Sequence, residues 1–168
     1  MQHPFPALAH RPFAALWCGQ TLSRVGDSLY LLTVSWWLVQ HTGSPAAVGR
    51  LFIVSLIPTV LFLLIGGALV DKLPRLRIML VADLVCGTVV ATVAALAWAG
   101  QLQIWHLWAA SFCFGTAEAF FMPAYLSVVP DLTPPGLLSS ANSLTSISAQ
   151  IGRFSGPALG SVIIACGG

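Results

Sequence analysis

The chain has 168 residues, of which 57% are hydrophobic and 7% charged, with a formal net charge of +2 and a mean hydropathy of +0.88. Soluble domains carry roughly 25% charged residues, and disorder requires low hydrophobicity with high charge, so both classes are excluded. Nucleic acid is excluded as a partner by the absence of a Lys/Arg cluster with interleaved aromatics, which leaves the lipid bilayer as the solvent.

The N-terminal MQHPFPALAHRPFAALWCGQ is interrupted by prolines, and Arg11 follows the first apolar residues, so it is expected to remain in the mature chain rather than be cleaved as a signal. Four charge-free runs, at residues 28–49, 51–70, 84–117 and 132–152, each approach or exceed the ~20 residues needed to cross a bilayer, the third being long enough for most of two spans; extended into their flanks they place five spans at residues 13–40, 46–70, 76–99, 104–121 and 138–165. Span 1 must take Arg24 and Asp27 into the membrane to reach that length. Thr42-Gly43-Ser44-Pro45 predicts a tight turn, with Ser44 as N-cap and Pro45 at the first helical position of span 2.

Asp71, Lys72, Pro74, Arg75 and Arg77 form the dense charge cluster that ends span 2. Span 3 carries Asp83 and ends at the polar GQLQ turn. Span 4 carries Glu118 and is expected to stop at Met122-Pro123, because the proline-rich PAYLSVVPDLTPPG reads as a loop or broken helix. Span 5 carries Arg153. With Arg11, Lys72, Arg75 and Arg77 on one side against Arg50 on the other, the positive-inside rule predicts a cytoplasmic N-terminus.

A charge at mid-bilayer costs about 3 kcal/mol or more, so ionisable residues within spans usually face a bundle interior or an aqueous cavity. At helical spacing, Gln20, Ser23, Arg24, Asp27 and Tyr30 make one stripe. Ser111, Gly115, Glu118 and Met122 make a second, and Asn142, Thr145, Ser146, Ala149, Arg153, Gly156 and Gly160 a third. Asp27 and Glu118 are the candidates for proton uptake and release, with Arg24 and Arg153 as counter-charges; burial disfavours a charged carboxylate and a nearby guanidinium favours it. Permanent ion pairing is the alternative. Gly152, Gly156 and Gly160, with Pro157 among them, make a smooth kinked face that serves either helix packing or a moving contact.

No GxSxG, GK[ST] phosphate loop, HExxH or GxGxxG is present, and no histidine has a ligand partner one turn away. No enzyme activity, metal or cofactor is expected. Cys18, Cys86, Cys113 and Cys166 lie in apolar runs without metal spacing and read as small hydrophobes.

Gly67-Ala-Leu-Val-Asp71-Lys72-Leu-Pro-Arg75-Leu-Arg77, between spans 2 and 3, resembles the signature loop of the major facilitator superfamily. Gly156-Pro157-Ala-Leu-Gly160 resembles the antiporter motif of the same superfamily, with Ser161 where a second glycine is usual. LWCGQTLSRVGDSLYLLTVSWWLVQHTGS, VADL, AFFMPAYLSVVPDL and SSANSL are similar to the branch containing macrolide efflux proteins and the enterobactin exporter.

The resemblance implies an all-α integral membrane bundle of the major facilitator type, of which this chain supplies about five transmembrane helices of the N-terminal six-helix half. Span 6 and the C-terminal half would lie outside it. Substrate would bind at the midplane between the two halves. Gly67, Asp71, Lys72, Arg75 and Arg77 would form a cytoplasmic gate, and Tyr30, Trp36 and Phe120 would contact substrate. The expected function is proton-coupled export of lipophilic small molecules such as drugs or siderophores across the bacterial inner membrane. The expected partners are the bilayer, substrate, protons and the missing half. The alternatives are an uptake or facilitated-diffusion permease, or a truncated membrane protein with no transport of its own.

Overall fold

In hydrocarbon every backbone N–H and C=O must find a partner within the chain, so an apolar run of this length has the helix as its natural form. The computed structural model describes residues 6–70 and 72–167, with side chains described as far as residue 160. It contains a short 3₁₀ turn at Pro6–Ala9 and five long helices: α1 (Arg11–Thr42), α2 (Pro45–Val70), α3 (Arg75–Trp98), α4 (Ile104–Asp131) and α5 (Leu138–Gly167). A second 3₁₀ turn, Pro135–Leu137, leads into α5.

Three of the helices, α2, α3 and α4, are long and apolar enough to cross a membrane. At ~1.5 Å per residue even α3, with 24 residues, reaches about 36 Å, more than the ~30 Å hydrocarbon core. Leu56, Ile57, Val60, Leu61 and Leu64 of α2 are all exposed, and a continuous apolar face of this kind marks contact with lipid or with further protein.

Turn chemistry closes the helices where the sequence predicts. Gly43 and Gly100 have φ of +61° and +68°, the left-handed region that ends a helix and that glycine enters without penalty. After α3, Gly100 N–H donates to the Ala97 carbonyl (3.1 Å) and Gln101 N–H to that of Leu96 (2.9 Å), the paired bonds of a Schellman stop. Pro45 is the first residue of α2, where its missing N–H leaves no helical acceptor unsatisfied.

One element departs from expectation. α4 does not stop at Met122-Pro123 but continues through Pro123 and Pro130 to Asp131. The reason is packing: Ala124, Tyr125, Val128 and Val129 are all buried, so the apolar face that holds the helix persists past the proline. Prolines are tolerated in membrane helices when neighbours satisfy the freed backbone groups.

The chain forms two compact units, residues 1–35 with 129–168, and residues 36–128. In the first unit α1 and α5 run parallel in a constant register. Trp17 Nε1–H donates to the Leu144 carbonyl (2.8 Å), Thr21 Oγ1–H to Ser148 Oγ (2.9 Å), and Gly156 N–H to Ser28 Oγ (3.0 Å). In the second unit α2 and α4 also run parallel. Thr59 Oγ1 lies 2.9 Å from both the Gly115 and the Ser55 carbonyl oxygens, and Phe62 stacks on Phe120 with ring centroids 6.3 Å apart.

Candidate functional site

The α1–α5 seam is built on glycine. A Cβ added at Gly152 would meet Arg24 Cβ at 2.9 Å, one at Gly156 would run into Ser28 Oγ, and one at Gly160 would run into Leu32 Cδ2. Each step is four residues on both helices, so the two backbones stay in close approach for two turns, as small-residue interfaces permit. The buried face of α5 is therefore Ala141, Leu144, Ser148, Gly152, Gly156 and Gly160. Arg153, grouped with Gly156 and Gly160 in the sequence stripe, lies one residue round the helix from Gly152 and is exposed, as is Pro157.

This register sets the depth of the ionisable residues. Because Gly152 abuts Arg24, Arg153 stands at nearly the same level of the seam, and Asp27, three residues beyond Arg24, is only about 4.5 Å further along the axis. Arg24 is half-buried and Asp27 exposed, and both engage neighbouring groups. At the same level Pro157 lacks the N–H that would bond the Arg153 carbonyl, and Gly156 N–H reaches across to Ser28. The seam thus carries three charged side chains and a polar irregularity of the backbone within about one helical turn. Gln20, on the same stripe, is buried.

In the second unit the α2–α3 turn carries the expected gate residues. Gly67 lies in the last turn of α2 with open space where a Cβ would go, Lys72 is exposed, and α3 begins at Arg75. Arg75 is half-buried, with Nη1 3.5 Å from the Ser127 carbonyl oxygen, and Arg77 is exposed. The turn is closed by Lys72 N–H and Leu73 N–H, both donating to the Leu69 carbonyl at 3.0 Å. Asp71 lies outside the described residues.

Sequence reasoning singled out Gly67 and passed over its neighbour Gly66. A Cβ at Gly66 would run into the Ala119 carbonyl oxygen, the acceptor that Pro123 leaves without its helical donor. Gly115 is as tightly held: a Cβ there would run into the Ser55 carbonyl oxygen and come within 2.9 Å of Pro58 Cγ. The available signal was the four-residue spacing of Gly115 and Ala119, a small-residue pair on α4 opposite the proline of α2.

Glu118 is exposed on α4, as is Met122, while Gly115 of the same sequence stripe is buried against α2. Of the aromatic candidates, Tyr30 belongs to the first unit and is half-buried; Trp36 and Phe120 belong to the second. Trp36 is 51% exposed. Phe120, stacked on Phe62, lines a cleft of about 570 Å³ formed by the end of α2 with α3 and α4. Among the described residues no group of three or more His, Cys, Asp or Glu side chains comes together to hold a metal ion.

Long apolar helices joined by short turns, with a basic turn between the second and third, are consistent with an integral-membrane bundle of the major facilitator type. The chain belongs to the transmembrane secretion effector family, whose sequence profile it matches over residues 2–168. Among curated proteins it is 24% identical to macrolide efflux protein A of Streptococcus pyogenes over 90% of its own length and 37% of that protein's. It is 28% identical to the multidrug efflux pump Tap of Mycolicibacterium fortuitum over 91% and 37% of the two chains. The MFS-type transporter YfiS of Bacillus subtilis (strain 168) is 27% identical over 89% and 35%. The chain therefore spans little more than a third of the length of these relatives. No solved structure matches it significantly.

Proposed function

We propose that the chain is the N-terminal part of a proton-coupled exporter of lipophilic small molecules in the bacterial plasma membrane, with its N-terminus in the cytoplasm. The observation that carries this reading is the α1–α5 seam, which holds Arg24, Asp27 and Arg153 within about one turn of each other in depth. A carboxylate at the same depth in the membrane as two guanidinium groups can exchange a proton for a change of partner, which is the elementary step of coupling. Glu118 is a second titrating candidate, on α4. The names of the efflux relatives support export of drug-like compounds. The basic turn at Lys72, Arg75 and Arg77 supports a cytoplasmic gate and, with Arg11, the orientation. α1 and α5, less apolar than the other three helices, cross the membrane as well.

The test is transport by the complete protein in everted vesicles, driven by an imposed pH gradient. Asp27→Asn and Glu118→Gln are made singly and together. Loss of gradient-driven transport, with substrate exchange retained in the absence of a gradient, supports the assignment. Gradient drive that survives both substitutions refutes it.

A second reading follows from length. Residues 1–168 cover 37% of the length of macrolide efflux protein A, and transporters of this type rock two halves against each other, so these residues expressed without further chain are expected not to transport. Reconstituted alone they exchange no substrate, and co-expression with a matching C-terminal half restores exchange.

A further inference from the structure

The cleft of the second unit is not part of the seam described above. It is bounded by Leu69, Leu73 and Pro74 at one end, by Ile78, Val81, Ala82 and Val85 of α3 along one wall, and by Phe112, Cys113, Thr116, Ala117 and Phe120 of α4 along the other. Along α3, from Arg77 to Val85, it is eight residues or about 12 Å long.

Its chemistry is graded along that length. Arg77, at the α2–α3 turn, is the charged residue of the lining. Deeper in, the Thr116 hydroxyl donates to the Phe112 carbonyl of its own helix at 2.9 Å, so its hydrogen is not offered to a ligand. The walls beyond are methyl, methylene and phenyl groups with the Cys113 thiol among them. Val81 is 60% exposed, Phe112 46% and Val85 41%, which opens the cleft sideways onto the apolar surface of α3 and α4.

A compound with several dispersed polar groups would leave them unsatisfied along these walls, at a cost of at least about 1 kcal/mol each. An amphiphile with one anionic head and an unbranched apolar tail fits both ends. Guanidinium pairs phosphate bidentately, and basic pockets between membrane helices on the positively charged side hold anionic lipid headgroups.

We propose that this cleft holds one acyl chain of an anionic phospholipid, with its phosphate on Arg77 and its tail running between α3 and α4 toward Val85. The lipid is a resident component of the bundle, and it occupies a site separate from the residues assigned to proton coupling.

The experiment is native mass spectrometry of the purified chain in a non-ionic detergent, with phosphatidylglycerol or phosphatidylcholine of identical acyl composition. Phosphatidylglycerol adducts should exceed phosphatidylcholine adducts by about five-fold, the factor equivalent to one basic residue near an anionic lipid. Arg77→Gln should bring phosphatidylglycerol down to the phosphatidylcholine level, Arg77→Lys should restore part of the difference, and Lys72→Gln, outside the cleft, should leave it intact. Val85→Trp, which fills the deep end at an already exposed position, should reduce phosphatidylglycerol binding with Arg77 in place. Circular dichroism confirms that each variant keeps its helix content, and Arg77→Lys and Lys72→Gln keep the test decisive if Arg77→Gln fails to fold. Equal adducts with the two lipids, equal losses for Lys72→Gln and Arg77→Gln, or binding untouched by Val85→Trp would each overturn the proposal; the last would reduce it to headgroup attraction at a basic surface.

Discussion

Gly115→Ala against Gly67→Ala is the most direct probe of the α2–α4 packing, because the two glycines lie in the same unit and differ only in what their missing methyl would meet. At Gly115 the new Cβ runs into the Ser55 carbonyl oxygen and comes within 2.7 Å of its carbon and 2.9 Å of Pro58 Cγ. These are backbone and ring atoms that cannot rotate aside, so α4 must retreat from α2, an over-packing change that costs about 1–3 kcal/mol. The retreat also lengthens the 2.9 Å bond from Thr59 Oγ1 to the Gly115 carbonyl, and a bond of that kind between membrane helices contributes about 0.6 kcal/mol. Alanine returns about 0.9 kcal/mol through its helix propensity, leaving a net loss of roughly 1–2.5 kcal/mol.

At Gly67 nothing lies within 4 Å of the added Cβ, so the same substitution collects the propensity gain alone. The two variants should differ by about 2–3.5 kcal/mol, in opposite directions from the parent. Unfolding by sodium dodecyl sulfate in mixed micelles, followed by circular dichroism, measures the difference. A Gly115→Ala protein as stable as the parent, or a Gly67→Ala protein as unstable as Gly115→Ala, would mean that the close approach of α2 and α4 does not hold this unit together.

Gly156→Ala should destabilise by a similar ~1–3 kcal/mol through its clash with Ser28, whereas Ser28→Ala at the other side of that contact should lose about 0.6 kcal/mol with the hydrogen bond from Gly156 N–H; the same titration reads both. Thr59→Val, which removes the bridging hydroxyl at nearly constant volume, should cost about 0.6 kcal/mol and leave helix content unchanged by circular dichroism. Pro123→Ala should keep α4 intact to Asp131 and slow exchange of the amides flanking residue 123, because a donor for the Ala119 carbonyl is restored; hydrogen exchange with fragmentation reports this, and unchanged protection of those flanking amides would show that the freed carbonyl already has an equivalent partner. Reading the gene beyond codon 168 should show an in-frame continuation encoding seven further apolar spans, and a stop at that point would instead favour a bundle that works with a separate partner.

Much of the architecture was legible in the residues because lipid imposes a single solution on a long apolar run: five helices, with glycine and proline marking the turns. What escaped was whatever depended on a neighbour. Pro123 reads as a terminator in isolation, yet the buried Ala124, Tyr125 and Val128 hold the helix together beyond it. Gly66 and Gly67 are indistinguishable in sequence, and only the position of Ala119 separates the one that must be glycine from the one that has room to spare. On α5 the error was one of angle. Gly152 and Arg153 differ by about 100° around the helix, so the arginine stands beside the glycine face rather than on it.

The constant register of α1 on α5 also bears on how the protein is made. The residues that bond across this seam are 127 or 128 apart in the chain, whereas Thr59 and Gly115 are separated by 56. At about 5–20 residues per second of synthesis, α1 waits on the order of ten seconds for its partner helix. During that interval Arg24 and Asp27 are in the nascent chain without the glycine face that later packs beside them. α1 thus completes its packing only once α5 has followed it, and until then the half-buried Arg24 lacks the glycine that it packs against.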